Sequence, residues 1–200
     1  MPAHQASVGG LRGLLEHAAG ATLPDWASAS AAIEVRHVAA GEPVFRQDEP
    51  HPFVYLVSRG LVKLLYLDEA GNEWIKSFSQ EGRYFASISA LTPGGSTSFM
   101  AVAIEPTELE RMPYAALAAL AEQHRPWARA VSALTMAFAA RKEQRERELL
   151  TLSPPDRYLA FRRTYPDLES RLTQKDIARY LGLTPVGLNR IIRRLSKRLQ

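Results

Sequence analysis

The spacing of hydrophobic positions changes twice along the chain, and each change marks a different kind of structure. Near the start, the leucines and alanines of residues 11–18 follow helical spacing and predict a short helix. From Ala31 to about Met112 the chain consists of short apolar runs separated by Gly and polar turns, and from Tyr114 onward helical spacing returns. The pattern therefore predicts a β-rich middle between helical segments.

The middle segment contains five apolar runs of strand length. They are Val54–Val57, Leu61–Leu67, Trp74–Phe78, Met100–Ile104 and Leu109–Met112. Ser58–Gly60 and Asp68–Glu73 supply polar turns between the first three runs. Short strands broken by Gly-containing turns are typical of an antiparallel roll or barrel.

A long helix is predicted after the β-rich segment. The stretch that follows Pro126 contains neither Pro nor Gly up to about Leu150. Apolar residues in this stretch step by 4, 3 and 4, as the inward positions of paired helices do. They are Trp127, Val131, Leu134 and Phe138. Such an apolar seam is found either where a helix packs on its own domain or where the same helix of two protein copies pairs. We expect a dimer interface, because the helix is long and joins two compositionally different halves.

Two short helices joined by a tight turn are predicted near the C-terminal end. Thr173 is a favourable N-cap for the first helix, and Gly182 supplies the left-handed residue that ends it. Thr184 caps the second helix with Pro185 in its first position, and apolar residues repeat with helical spacing up to Leu195. This is the pattern of a helix-turn-helix.

The outward side of the second helix is basic, and in a helix-turn-helix this helix lies in the major groove of DNA. Val186 could contact a thymine methyl group, Asn189 could pair with adenine and Arg190 with guanine. The other candidates would hold phosphates, together with the two helix N-termini. They are Thr173, Gln174, Lys175, Thr184, Arg193, Arg194 and Lys197.

The charge distribution points to a polyanionic partner for the C-terminal part alone. Residues 1–140 contain 10 Lys/Arg and 14 Asp/Glu, whereas residues 141–200 contain 15 and 7. A solvated basic face without a partner is the alternative explanation.

Several classes of site are absent from the sequence. The chain has no cysteine, which excludes disulfides, thiolate catalysis and cysteine-based metal centres. No nucleophile elbow, phosphate loop or suitable pair of carboxylates occurs, so an enzyme is not expected. No metal site is expected either, because the histidines show no ligand spacing. They are His4, His17, His37, His51 and His124. No signal peptide or membrane-spanning run is recognised, so a cytoplasmic protein is expected.

Residues 30–198 as a whole resemble the cyclic-AMP receptor/fumarate–nitrate regulator (Crp/Fnr) superfamily. Gly41–Glu49 and Phe53–Lys63 resemble segments of its β-roll, and Ile177–Pro185 resembles its helix-turn-helix. The resemblance implies an α+β fold: an N-terminal antiparallel β-roll (a cyclic-nucleotide-binding-like jelly roll), a long dimerisation helix and a C-terminal helix-turn-helix. It also implies a homodimeric transcription regulator with DNA and RNA polymerase as partners.

The resemblance implies a division of the chain into three domains. Residues 1–125 form the β-roll sensor domain with flanking helices, residues 126–152 the long dimerisation helix and residues 153–200 the DNA-binding domain. The Ser153-Pro154-Pro155 break marks the second boundary.

The sensor segment departs from the nucleotide-binding members of the family. Those members carry a Gly-Glu pair and an Arg for the cyclic nucleotide, but this chain has Ala86-Ser87 and no Arg beside Ser96–Ser98. Without the Arg, a buried phosphate loses a charge-assisted contact, so cyclic-AMP binding is not expected. No resident cofactor is expected. An unidentified small effector could bind here, or the segment is a turn-rich loop without a ligand. The candidate ligand residues are Arg83, Ser87, Ser89, Ser96, Thr97 and Ser98.

The second helix of the helix-turn-helix also departs from the family. Of the Arg-Glu-x-x-x-Arg pattern only Arg190 is retained, and with Gln200 as the last residue we do not expect the family's β-wing. We therefore expect a different DNA site, bound mainly by the two helices. The alternative function is a small-molecule-binding signalling module whose basic tail docks a protein partner.

Overall fold

The computed structural model describes residues 9–198, and the side chain of Arg198 lies outside the description. His4 and the N-terminal residues 1–8 lie outside the described residues. Among residues 9–198, the helices are α1 (Gly10–Ala19), α2 (Trp26–Ala31), α3 (Tyr114–Gln123), α4 (Arg125–Thr151), α5 (Pro154–Thr164), α6 (Gln174–Leu181) and α7 (Pro185–Arg198). The strands are β1 (Glu34–Val38), β2 (Pro43–Phe45), β3 (Phe53–Arg59), β4 (Leu61–Leu67), β5 (Glu73–Gln80), β6 (Tyr84–Phe85), β7 (Met100–Ala103) and β8 (Thr107–Pro113).

The eight strands form two four-stranded antiparallel sheets, in the orders β1-β8-β3-β6 and β2-β7-β4-β5. This is the jelly-roll architecture expected from the sequence. The five apolar runs of the sequence correspond to β3, β4, β5, β7 and β8. They did not include β1, β2 and β6, since β2 and β6 are only three and two residues long and most of β1 is solvent-accessible. A 3-10 helix at Ile88–Leu91 follows β6.

Aromatic rings fill the space between the two sheets. Phe45, Tyr55, Phe85 and Phe99 are all buried, with neighbouring ring centroids 5.1–6.3 Å apart. Tyr55 and Phe85 are stacked with their planes 8° apart. Offset stacks and tilted pairs are favourable aromatic geometries, so the interior of the roll is a packed core.

Gly60 makes the tight connection between β3 and β4 possible. Its φ is +99°, a left-handed conformation that L side chains avoid. A Cβ atom here would lie 2.5 Å from Thr107 Oγ1 and 2.8 Å from the carbonyl oxygen of Pro106. Only glycine allows the hairpin to pass this close to β8.

The first half of α4 packs against α1 and α3 on the outer face of the β3–β8 sheet. Trp127 is fully buried there, stacked on Trp26, and its indole nitrogen donates to the carbonyl oxygen of Pro24 at 2.8 Å. Its assignment to a dimer interface is therefore corrected, because its whole surface is covered by its own chain. Val131 and Leu134 also pack partly against this cluster.

The C-terminal helices pack against the other sheet. Strand β4 alternates, so that Val62 and Leu64 face the interior of the roll while Leu61 and Leu65 face outward. The outward residues join one buried cluster with α5, α6 and α7, in which Phe78 of β5 lies 5.4 Å from the ring of Tyr180. The C-terminal helices are thus seated directly on the roll.

Candidate nucleic-acid interface

The helix-turn-helix is built by the caps that the sequence indicated. Thr173 accepts a hydrogen bond from the amide of Asp176 at 3.1 Å and donates to its carboxylate at 2.7 Å. Gly182 is left-handed (φ +66°) and ends α6, while Thr184 accepts from the amide of Gly187 at 3.1 Å. These contacts satisfy amides that a helix N-terminus leaves free, and they fix the turn between α6 and α7.

Buried apolar residues hold the two helices together. Ile177, Ala178 and Leu181 of α6 and Leu188 of α7 are almost completely covered. Gly187 is not required for a close helix crossing, because a Cβ atom at that position would approach only the hydroxyl of Thr184, the cap of its own helix.

The predicted base-reading and phosphate-binding side chains are exposed. Val186 retains 62% of its surface. Residues 186, 189, 190, 193, 194 and 197 fall on one face of α7, because they repeat at intervals of three and four. Thr173, Gln174 and Lys175 are exposed at the start of α6, and Thr184 at the start of α7. Within the part of the chain that is described, none of the cations on this face has an ion-pair partner, whereas other basic residues of this domain do.

Ion pairs between the DNA-binding half and the roll were missed by sequence reasoning. Arg171 contacts Glu81 and Glu105, and Arg179 contacts Glu73. Lys63 of β4 lies 3.6 Å from Asp176 of α6. Only the basic residues on the side facing the roll are neutralised in this way, and no local sequence signal distinguishes them.

The candidate ligand residues of the sensor segment hydrogen-bond mainly with one another. Ser87 is buried and its hydroxyl accepts from the amide of Ser98 at 3.0 Å, with Ser89 3.1 Å away. Ser89 donates to the carbonyl oxygen of Ser96, and Thr97 donates to that of Arg46. Arg83 lies elsewhere, beside a cavity on the α4 side of β5. The structure thus joins the four serines by hydrogen bonds, holds Thr97 beside them on the Arg46–Glu49 segment, and separates Arg83 from all five.

His51 is the described histidine with the clearest structural role. Its ring stacks on Tyr55, and Nε2 lies 2.6 Å from the Tyr55 hydroxyl. Burial, with the nearby charge of Arg111, lowers the pKa of His51. Among residues 9–198, no group of three His, Asp or Glu side chains could hold a metal ion. No helix in the same range is long and apolar enough to cross a bilayer.

The described residues thus form a β-roll that a long helix joins to a helix-turn-helix with an exposed basic face. Residues 35–124 match the cyclic nucleotide-binding domain family. The chain as a whole has the fold of Crp/Fnr-type transcription regulators. The fold that the resemblance implies is thereby confirmed.

Solved structures support the assignment of the fold. FixK2 from Bradyrhizobium japonicum is 23% identical, with 83% of this chain and 85% of that chain covered and a TM-score of 0.72. The c-di-GMP-responsive regulator CLP of Xanthomonas campestris is 19% identical, with 86% and 92% covered and a TM-score of 0.66. The sensor domain of DNR from Pseudomonas aeruginosa is 26% identical, with 70% and 90% covered and a TM-score of 0.53. A search of curated protein sequences found no match.

Proposed function

We propose that this protein is a dimeric, sequence-specific DNA-binding transcription regulator. The observation that carries the proposal is the exposed, unneutralised basic face of α7, the second helix of the helix-turn-helix. Other basic residues of this domain are paired with acids of the roll, whereas the cations of α7 within residues 9–197 have no acidic partner. An exposed cationic helix of this kind fits the major groove.

The first turns of α7 would read the bases. Val186, Asn189 and Arg190 lie at its N-terminal end, where a recognition helix approaches base edges. Arg190 would form a bidentate contact with guanine and Asn189 with adenine. Arg193, Arg194 and Lys197 lie further along the same face and would contact phosphates, as would Thr173, Gln174, Lys175 and Thr184.

The dimer would form through the outer side of α4. Met136 retains 67% of its surface, and Ala133, Ala137 and Ala140 are exposed beside it on the same helix face. Small residues allow two helices to approach closely, and Met packs well against varied partners. Val131, Leu134 and Phe138 lie on the opposite side, where they border a cavity against the roll. The dimer contact is therefore proposed one half-turn from the seam suggested by the sequence.

Residues 1–125, 126–152 and 153–200 would serve as sensor, dimerisation helix and DNA-binding domain. A regulator of this kind would act in the cytoplasm on DNA and on RNA polymerase. Two copies of α7 would contact two half-sites about one helical turn of DNA apart, so we expect an approximately palindromic site with a spacing of about 10 base pairs.

The test is selection of bound sequences from a random DNA pool with the full-length chain, followed by affinity measurements at several salt concentrations. We expect an enriched palindromic motif, and an affinity that falls steeply as salt increases because phosphate contacts release counterions. Weak, equal binding to selected and random DNA would overturn the proposal and favour a module whose basic tail docks a protein.

A further inference from the structure

A cavity of about 910 Å³ lies where the roll, α4 and the DNA-binding half meet. Its walls come from β4 and β5, from the C-terminal half of α4, and from the segments around Tyr165 and Tyr180. Such a volume is within the range of small-molecule sites, which often form at domain boundaries. Arg83 is the one candidate ligand residue of the sequence that lines this cavity, whereas the serine-rich loop after β6, which contains the other five, does not.

Lys76 of β5 is the unusual residue in the wall of this cavity. Its ammonium group lies 3.7 Å from the centroid of the Phe99 ring and 5.6 Å from that of Phe138. No carboxylate among the described residues forms an ion pair with it, although Lys63 on the neighbouring strand has two such partners. Burial, together with the charge of Lys142, lowers the pKa of Lys76 to about 7. A half-buried cation of this kind is costly to the fold unless an anion accompanies it.

The rest of the lining favours an anion that carries a ring. Aromatic side chains contribute a large share of the apolar wall, and basic residues outnumber acidic ones. The aromatic residues are Tyr66, Trp74, Phe78, Tyr84, Phe85, Phe138, Tyr165 and Tyr180. The basic residues are Lys76, Arg83, Arg141, Lys142, Arg145 and Arg179, against the acids Glu146 and Glu148. Arg179 is neutralised by Glu73, and Arg145 lies over the ring of Tyr180.

We propose that this cavity is the effector site of the regulator and binds a small aromatic monocarboxylate, with the carboxylate on Lys76 and the ring among the surrounding aromatic side chains. The carboxylate matches Lys76, the half-buried lysine of this lining that has no ion-pair partner among the described residues, and Arg83 is a second half-buried cation in the same wall. Lys142 and Arg141 are exposed and lie at the rim. The inference rests on the proposed function, because it supplies the signal for the same regulator.

The position of the cavity explains how a ligand would act on DNA binding. Tyr180 and Gly182, which line it, belong to α6 and to the turn that leads into the recognition helix. Arg145 of α4 also donates a hydrogen bond to the carbonyl oxygen of Tyr180. The cavity that contains Lys76 is therefore lined by the roll, by α4 and by the helix-turn-helix together, which is the arrangement that a coupling between two sites requires.

The experiment uses the full-length protein and the fluorescence of Trp74, which is exposed and lines the cavity. Benzoate and phenylacetate are titrated beside the neutral isosteres benzamide and phenylacetamide, and beside AMP. We expect saturable signals with the carboxylates and affinities at least about tenfold weaker for the amides, since a charged hydrogen bond is replaced by a neutral one. Calorimetry on Trp74→Phe should detect the same binding without the fluorescence change.

Two lysine variants locate the site. Lys76→Met should weaken carboxylate binding at least about tenfold, whereas the matched control Lys142→Met should change it less than about threefold because that side chain is exposed. The proposal is overturned if neither carboxylate binds the wild-type protein at about 10 mM, a weak limit for ligands of this size. It is also overturned if Lys76→Met binds as well as wild type, or if AMP binds more tightly than the carboxylates. DNA selection on the same preparations tests the proposed function separately, so the two failures are distinguishable.

Discussion

Arg171 donates two hydrogen bonds, of 3.0 and 2.9 Å, to the carboxylate of Glu81, which lies 90 residues earlier in the chain. The same carboxylate accepts from the amide of Gly60 at the β3–β4 turn, and the guanidinium also contacts Glu105. Burial opposes ionisation of Glu81, but the hydrogen bonds from Arg171 and from backbone amides outweigh it and lower the pKa of this carboxyl group. The contact therefore joins the DNA-binding half to a turn of the sensor roll.

Arg171→Gln is expected to loosen this junction. The variant leaves Glu81 and Glu105 without their shared cation, and we expect a loss of about 1 kcal/mol in the free energy of unfolding, because the groups are partly exposed. Hydrogen exchange should increase in α6 and β5. Arg162→Gln is the matched control, since Arg162 pairs with Glu169 at 3.0 Å within the C-terminal half. Equal exchange in both variants would contradict the prediction.

Arg190→Ala is expected to remove sequence preference more than DNA affinity. Arg190 is exposed near the N-terminus of α7, where we propose that it contacts base edges, so affinity for the selected site should fall by about 1–3 kcal/mol. Binding to random DNA should fall much less. Arg193→Ala, further along the same face, should weaken both by similar factors and reduce the salt slope by about one. Gel-shift titrations on both DNAs measure this, and identical losses in the two variants would refute the assignment.

Met136→Glu is expected to yield monomers, because it places a charge in the centre of the proposed dimer face. Met136→Leu conserves the apolar volume and should remain dimeric. Light scattering coupled to size-exclusion chromatography distinguishes the two states. A Met136→Glu variant that keeps the dimer mass would show that the outer face of α4 is not the interface.

Lys76→Met is expected to stabilise the protein, most strongly at low pH. The unfolded chain holds the lysine proton up to about pH 10.5, whereas the folded chain releases it near pH 7. Below pH 7 the lysine is charged in both states, so its burial opposes folding in full. From pH 7 to 10.5 the unfolded chain binds more protons, and wild-type stability rises from this group.

Urea unfolding at pH 6 and pH 10 measures that difference. The variant should gain about 1–3 kcal/mol at pH 6, since Met matches the volume without the charge, and less at pH 10. Lys175→Met, an exposed control, should give a flat difference. The charged groups that line the same cavity are Arg83, Arg141, Lys142, Arg145, Glu146, Glu148 and Arg179. An equal gain at both pH values would contradict the lowered pKa of Lys76.

Local signals in the sequence predicted most of the fold. The caps at Thr173, Gly182 and Thr184 each depend on neighbours within four positions, and all three form as expected. The long helix was expected from Trp127 and begins at Arg125, because Pro126 suits a first turn. The alternation of side-chain direction along β4 likewise follows from the period of a strand, which places successive residues on opposite faces of the sheet.

What the sequence could not give depends on contacts between distant segments. The 4-3-4 seam that begins at Trp127 has the same spacing whether it packs on the roll or on a second copy, and only the fold brings Trp26 against it. The neighbouring sequence does not distinguish Arg171 and Arg179 from the basic residues proposed to bind DNA, because their acidic partners lie far away in the chain. Lys76 likewise looks like any polar residue of a strand until Phe99 and Phe138 are placed beside it.

The acidic patch on the roll has a consequence for engineering. Glu73, Glu81 and Glu105 form an acidic surface on the roll that pairs with basic residues of the C-terminal helices. The C-terminal helices therefore cannot be exchanged for those of another protein without regard to these charges. A chimera that joins a foreign helix-turn-helix to this roll would leave these three carboxylates unpaired where the two parts meet, unless it also carries cations equivalent to Arg171 and Arg179. Over evolutionary time, the two halves are expected to change together at these positions.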